Sequence, residues 1–210
     1  EIGAAITHAE LEDGEVDDPT GGWLRDAAAG IAHRAVRNRG TIGGSLAHAD
    51  PAADWVIVMT GLAATIVIQR ADGARRVAIE DFITGPFETA LESGELIRSV
   101  AVPKPGSSAK WGYWKFVRQV GEFAKASATV LIDPERSLTR VCVGALGRQP
   151  LVLDETNSAA LVGGRTSTCE VLSAALPDRS AEELALHKAA LSKALAAAFG
   201  DDRAGGGSGT

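Results

Sequence analysis

The residues best suited to chemistry lie in one run, Arg37-Asn38-Arg39-Gly40-Thr41-Ile42-Gly43-Gly44-Ser45, continued by Asp50-Pro51 and Asp54. Two adjacent glycines after a predicted helix let successive backbone N–H groups point into one concavity, and without Cβ atoms they admit a pyrophosphate closely. Thr41 and Ser45 add hydroxyl donors. On this reading a side chain at Gly43 fills the phosphate's place and leaves the fold intact. A Gly-Gly pair by itself is more often an ordinary turn, so the pair acquires meaning only from its surroundings.

Other reactive side chains offer less. Cys142 and Cys169 have no CxxC spacing and no paired histidines, so this chain assembles neither a zinc site nor a thiolate-held iron–sulfur cluster. Each reads as a small buried hydrophobe in a reducing cytoplasm rather than half of a disulfide. His8, His33, His48 and His187 lack metal-ligand spacing and read as structural or surface residues, which leaves no candidate base. Arg37 and Arg39 flank the glycines and suit either a diphosphate or an ion pair with the acidic stretch at 12–18. Trp111, Tyr113, Trp114 and Phe116 crowd one predicted strand and are expected to divide between the core and a subunit interface rather than form a stacking platform.

Composition bounds the rest. The chain has 210 residues, 45% of them apolar, enough for one domain or two modest ones with a real core. A net charge of -6 with no basic face argues against nucleic-acid or membrane-surface binding. The apolar runs at 55–60 and 63–68 are far shorter than the ~20 residues of a membrane span. The start, Glu1-Ile2-Gly3-Ala4-Ala5-Ile6, has no basic leader or methionine and reads as the middle of a strand, so a fragment is expected.

Local signals place these residues on elements. Residues 2–6 read as a strand, and Thr7 with Glu10 as a capping box opening a helix. After a loop through Gly22, apolar spacing at Leu24, Ala27, Ala28, Ile31 and Ala35 predicts one helix over 23–36, ended by Asn38-Arg39-Gly40. Residues 64–70, Asp72-Gly73 and 75–79 read as a β-hairpin, 81–87 as irregular, and 96–102 as a strand. Pro103-Lys104-Pro105-Gly106-Ser107-Ser108 is the best domain boundary. Strands are expected at 111–117, 126–132, 138–146 and 151–153, with a turn at 133–137, so the second unit opens as an antiparallel meander. A short helix near 168–176 and a capped helix from Ser180 to Gly200 follow, the latter a packed surface helix with Lys188 and Lys193 on its polar side. Residues 201–210 read as a flexible tail, and no internal repeat is evident.

Taken whole, the run Arg37 to Asp54 resembles the second FAD-binding segment of the molybdenum hydroxylase flavoprotein subunits, whose pattern is Arg-Asn-x-Gly-Thr-Ile-Gly-Gly-Asn/Ser followed by Asp-Pro-x-x-Asp. Supporting matches are the Ile-Gly-Ala start at Ile2, the stretch Gly94-Glu95-Leu96-Ile97 to Val102-Pro103, and the strand carrying Lys115. The resemblance implies an α+β fold: residues 1–104 as an FAD-binding domain lacking its first subdomain, with that subdomain's own glycine-rich loop, and 109–200 as a smaller domain of antiparallel sheet and helices. It implies that Thr41, Ile42, Gly43, Gly44 and Ser45 hold the FAD diphosphate and that Asp54, an acceptor only, takes ribityl or ribose hydroxyls. Ile31 and Ile97 match apolar positions lining the cofactor, Lys115 a lysine near the flavin ring, and Phe123 an aromatic close to it. The implied setting is a cytoplasmic dimer of heterotrimers. A large partner carries the molybdenum cofactor, a small one carries two-iron two-sulfur clusters, and FAD hands electrons to an external acceptor. A free-standing FAD oxidoreductase and a scaffold subunit without FAD are the alternatives.

Overall fold

The computed structural model describes residues 1–200; the expected tail at 201–210 lies outside the described residues. The first half runs β1 (Ile2–Gly3), α1 (His8–Asp13), α2 (Trp23–Ala29), α3 (Arg34–Arg37), α4 (Ile42–His48), α5 (Asp54–Gly61), β2 (Thr65–Arg70), β3 (Gly73–Ala78), α6 (Ile79–Phe82), β4 (Ile83–Gly85), β5 (Glu88–Thr89) and β6 (Leu96–Ala101). The second runs β7 (Lys110–Phe116), β8 (Ala126–Asp133), β9 (Leu138–Gly144), β10 (Leu151–Val152), α7 (Glu155–Val162), α8 (Thr168–Ala175) and α9 (Ala181–Phe199). Helices and antiparallel sheets thus combine as the α+β expectation requires.

One sheet has the order β1-β6-β2-β3 and the other β10-β9-β8-β7, all neighbours antiparallel, while β4 and β5 form a small ribbon. The predicted hairpin forms one residue early: Arg70 pairs with Gly73, so Ala71 and Asp72 make the turn. The capping boxes at Thr7–Glu10 and Ser180–Glu183 are both present, and an unforeseen third, Ser167–Glu170, starts α8. No helix among the described residues is long and apolar enough to cross a membrane.

Three local expectations fail. The strand at 2–6 shrinks to two residues because the Ile6 carbonyl and the Ala4 carbonyl turn to accept from Ile42 and Gly43 of α4. The single helix over 23–36 breaks into α2 and α3. Gly30 caps the first, Ala32 adopts φ 44°, and extended His33 begins the second. Ala35 is consequently exposed rather than apolar-facing. Of residues 81–87, expected to be irregular, α6 and β4 occupy 81–85 and only Pro86 and Phe87 form a turn; α7 also fills a stretch with no predicted helix.

The cores follow strand alternation. On β7, Trp111 and Tyr113 pack against the first core, which holds α2, α4, α5 and β2, whereas Trp114 and Phe116 pack against the second, beneath α9. The four aromatics therefore divide between two cores, each only partly buried there. On β8 the same period sends Ala126, Ala128 and Val130 to the second core and Leu131 to the first. The expected boundary is tied down, since the Gly106 amide donates to Asp133 at 2.9 Å and Ser107 and Ser108 bind Glu135. Trp23 stacks on Trp111 with centroids 5.4 Å apart, joining the two halves. Cys142 is buried as expected; Cys169 is exposed, and both are free thiols.

Candidate functional site

The glycine pair opens α4. Thr41 is extended and caps the helix, its hydroxyl accepting the Gly44 amide at 3.0 Å, and the chain enters through a bridge between Thr7 and Thr41. The Ile42 amide donates to the Ile6 carbonyl at 3.1 Å, the Gly43 amide to Ala4 at 2.9 Å, and the Ser45 amide to Thr41 at 3.0 Å. These amides are satisfied within the chain, so the concavity of free N–H donors read from the sequence is not formed here.

The two glycines play different parts. A Cβ on Gly43 would stand 2.5 Å from the Ala4 Cβ and 2.7 Å from its carbonyl oxygen, so Gly43 is what lets α4 touch β1's extension. Gly43→Val would therefore disturb the fold. Gly44 is exposed, and a Cβ there meets only the Thr41 hydroxyl at 3.0 Å. Ile42 is wholly buried in the first core; Ser45 is half-buried.

An open groove of about 360 Å³ runs along this wall, lined by Ala4, Ala5, Gly43, Gly44, Leu96 and Ile97 among others. The fold thus brings the predicted Gly44 and Ile97 together. Glu95 also lines the groove, and hydrogen bonds from Arg75 hold its carboxyl down to about 2.

A second cluster forms around Asp54, the first residue of α5 and nearly buried. The Lys115 ammonium lies 2.5 Å from its Oδ1, and the Tyr113 hydroxyl donates to the same oxygen. Lys115 also donates to the Gly30 carbonyl at 2.8 Å. Burial first, and then the neighbouring Asp54 carboxylate, push the Tyr113 phenol well above its usual value, so it keeps its proton and remains a donor. Ile31, next to Gly30, is half-buried against the first core. Beneath the cluster the Trp55 indole donates to His8 Nδ1 at 3.0 Å, and burial lowers the imidazole's pKa.

Tyr113 is a member of this cluster that sequence reasoning missed, having been read only as an aromatic of the core or an interface. The signal was there: Trp111, Tyr113 and Lys115 alternate along β7, so one face must carry all three. Arg37 takes the ion-pair alternative, binding Glu12 through Nε at 2.7 Å. Phe123 is exposed in the loop between β7 and β8. Among the described residues no group of three or more His, Cys, Asp or Glu could hold a metal.

Residues 1–105 match the family described as the FAD binding domain in molybdopterin dehydrogenase. The nicotine 6-hydroxylase medium subunit of Paenarthrobacter nicotinovorans is 34% identical over 73% of this chain and 55% of its own length. The carbon monoxide dehydrogenase medium chain of Afipia carboxidovorans is 36% identical over 52% of this chain and 38% of its own. Among solved structures, carbon monoxide dehydrogenase from Hydrogenophaga pseudoflava, in a form lacking the Mo-pyranopterin moiety, superposes with a TM-score of 0.82 at 27% identity, over 93% of this chain and 73% of that one. The chain spans about half the length of the curated relatives it matches. With the glycine-led helix, the Asp54 cluster and the matched domain over half its residues, this chain belongs to the FAD-binding medium subunit family of the molybdenum hydroxylases.

Proposed function

We propose that this chain carries part of an FAD site in an oxidoreductase and serves electron transfer: electrons come from two-iron two-sulfur clusters in a small partner and leave FAD for an external acceptor. The organic substrate is oxidised at a molybdenum cofactor in a large partner, and a dimer of such heterotrimers in the cytoplasm is the assembly. The observation that carries this reading is the Asp54–Lys115–Tyr113 cluster, a buried ion pair on the strand face that meets the cofactor domain.

The residues suit FAD in specific ways. Both donors to Asp54 reach Oδ1, which leaves Oδ2 for a ligand hydroxyl. The Cβ-free flank of Gly44 gives the groove a wall that a flat or chain-like ligand can approach, with the Thr41 hydroxyl next to Gly44. Ile97 and Ile31 supply apolar contact. When bound, FAD supplies two-electron to one-electron redox chemistry. Lys115 contributes a positive charge, held in place by two acceptors, that favours added negative charge nearby. No residue of the chain is assigned proton transfer to an organic substrate.

Purifying the full-length natural protein with its partners and recording its visible spectrum and metal content tests this. Flavin together with iron and molybdenum is the expected result. A competent flavoenzyme isolated as a single chain, or a complex free of flavin, would overturn it.

A further inference from the structure

Arg37 makes more bonds than an ion pair needs. Its side chain is only 12% exposed, and Nε and Nη2 grip both oxygens of Glu12 at 2.7 and 2.9 Å. The remaining nitrogen, Nη1, donates to the carbonyls of Ile31 at 2.9 Å and Ala32 at 3.1 Å. Those carbonyls belong to the bend between α2 and α3, where Ala32 takes a φ of 44° that an L side chain rarely adopts. A bend of this kind persists only where its surroundings hold it. On its far side it is seated against the loop after β7, for a Cβ on Gly121 would fall 2.4 Å from His33 Nε2.

One group of this bend reaches the candidate site: the Gly30 carbonyl, which accepts from Lys115 at 2.8 Å. A lysine ammonium rides on a flexible four-carbon stem, so its acceptors decide where the charge sits. Lys115 has two, Gly30 and Asp54.

We propose that Arg37, anchored on Glu12, is a positioning residue that fixes the Gly30–His33 bend and thereby sets where the Lys115 ammonium lies. The inference rests on the assignment of Lys115 above only for its consequence on the flavin; its geometric part stands alone. Arg37 touches no proposed ligand. It acts through two carbonyls and one further hydrogen bond.

The test uses the full-length protein in its complex, with Arg37→Met, Arg37→Lys, Lys115→Gln and the Arg37→Met/Lys115→Gln double variant. The first readout needs no flavin: trace acetylation of Lys115, followed by mass spectrometry. In Arg37→Met the rate rises about tenfold, the factor implied by losing one charge-assisted hydrogen bond. Arg37→Lys behaves like Arg37→Met, because three donors on one nitrogen cannot fork Glu12 and also span two carbonyls. The second readout is the flavin midpoint potential, which falls in Arg37→Met and in Lys115→Gln but falls no further in the double variant. A merely structural Arg37 would give additive shifts. Should Arg37→Met not fold, Glu12→Gln loosens the same anchor, with Arg34, which also binds Glu12, still held by Asp13, and is read by the same two measurements. An unchanged acetylation rate, or additive potentials, overturns the inference. A complex without flavin instead overturns the functional reading, while the acetylation result still judges whether Arg37 positions Lys115.

Discussion

The two glycines at the start of α4 can be separated by a single methyl group. In Gly43→Ala the new Cβ lies 2.5, 2.7 and 3.0 Å from the Cβ, carbonyl oxygen and Cα of Ala4. Ordinary carbon contacts fall at roughly 3.5–4.0 Å, so the backbone at Ala4 must retreat. That retreat stretches the 2.9 Å bond from the Gly43 amide to Ala4. Overpacking costs about 1–3 kcal/mol and the weakened bond about 1 kcal/mol, against about 1 kcal/mol gained by alanine over glycine in a helix. The net loss is about 1–3 kcal/mol. At roughly 2–4 °C per kcal/mol for a chain of this size, the melting temperature falls by roughly 2–12 °C. Gly44→Ala meets only the Thr41 hydroxyl at 3.0 Å on an exposed face, so its melting stays within about 2 °C of the parent. Flavin content reverses the order: Gly44→Ala narrows the groove and loses flavin while remaining folded. Calorimetric melting and flavin absorbance per protein, both on the full-length protein, decide the matter. If Gly43→Ala melts with the parent, or Gly44→Ala is the less stable of the two, the division of roles between packing and ligand is wrong.

Tyr113→Phe removes one of the two donors to Asp54 and should cost about 1.5–3 kcal/mol in urea unfolding, with Lys115 still in place; no change would mean the hydroxyl bond does not form. Burial lowers the pKa of both His8 and His187, so the unfolded chain binds more protons than the folded one as acid is added. Their contribution is intact above the unfolded histidine value near 6.5 and is lost as pH falls below it. His8→Gln should flatten part of that slope, with His187 supplying the rest, and an unaltered slope would remove His8 from the account. The two thiols should differ in alkylation. Cys169 is exposed and a hydrogen bond from Lys188 lowers its pKa, while burial pushes Cys142 up to about 11. Mass spectrometry should find Cys169 alone modified in the native protein and both after unfolding; native labelling of Cys142 would contradict its burial.

Several features were decided within a few residues and were legible from the sequence alone. The capping boxes at Thr7 and Ser180 are closed by side chains three positions apart, the hairpin by its turn residues, and the family by the pattern from Arg37 to Asp54. The helix α5 was not legible, because all eight of its residues are buried and a uniformly apolar run has no period to read. The break between α2 and α3 was hidden for the opposite reason. Apolar spacing carries through Ile31 and Ala35, whereas Arg37 on two carbonyls, Arg34 on Glu12 and Asp13, and the loop at Gly121 hold the chain in a bend. The site divides in the same way. The sequence alone singled out Gly43, Gly44, Asp54 and Lys115 as candidates. Tertiary structure decided that Gly43 serves packing, that Gly44 and Ile97 share a groove, and that Tyr113 and Lys115 converge on Asp54 from a strand about sixty residues further along the chain. Contacts between residues so far apart depend on how two cores meet across β7 and β8, and no local pattern encodes that.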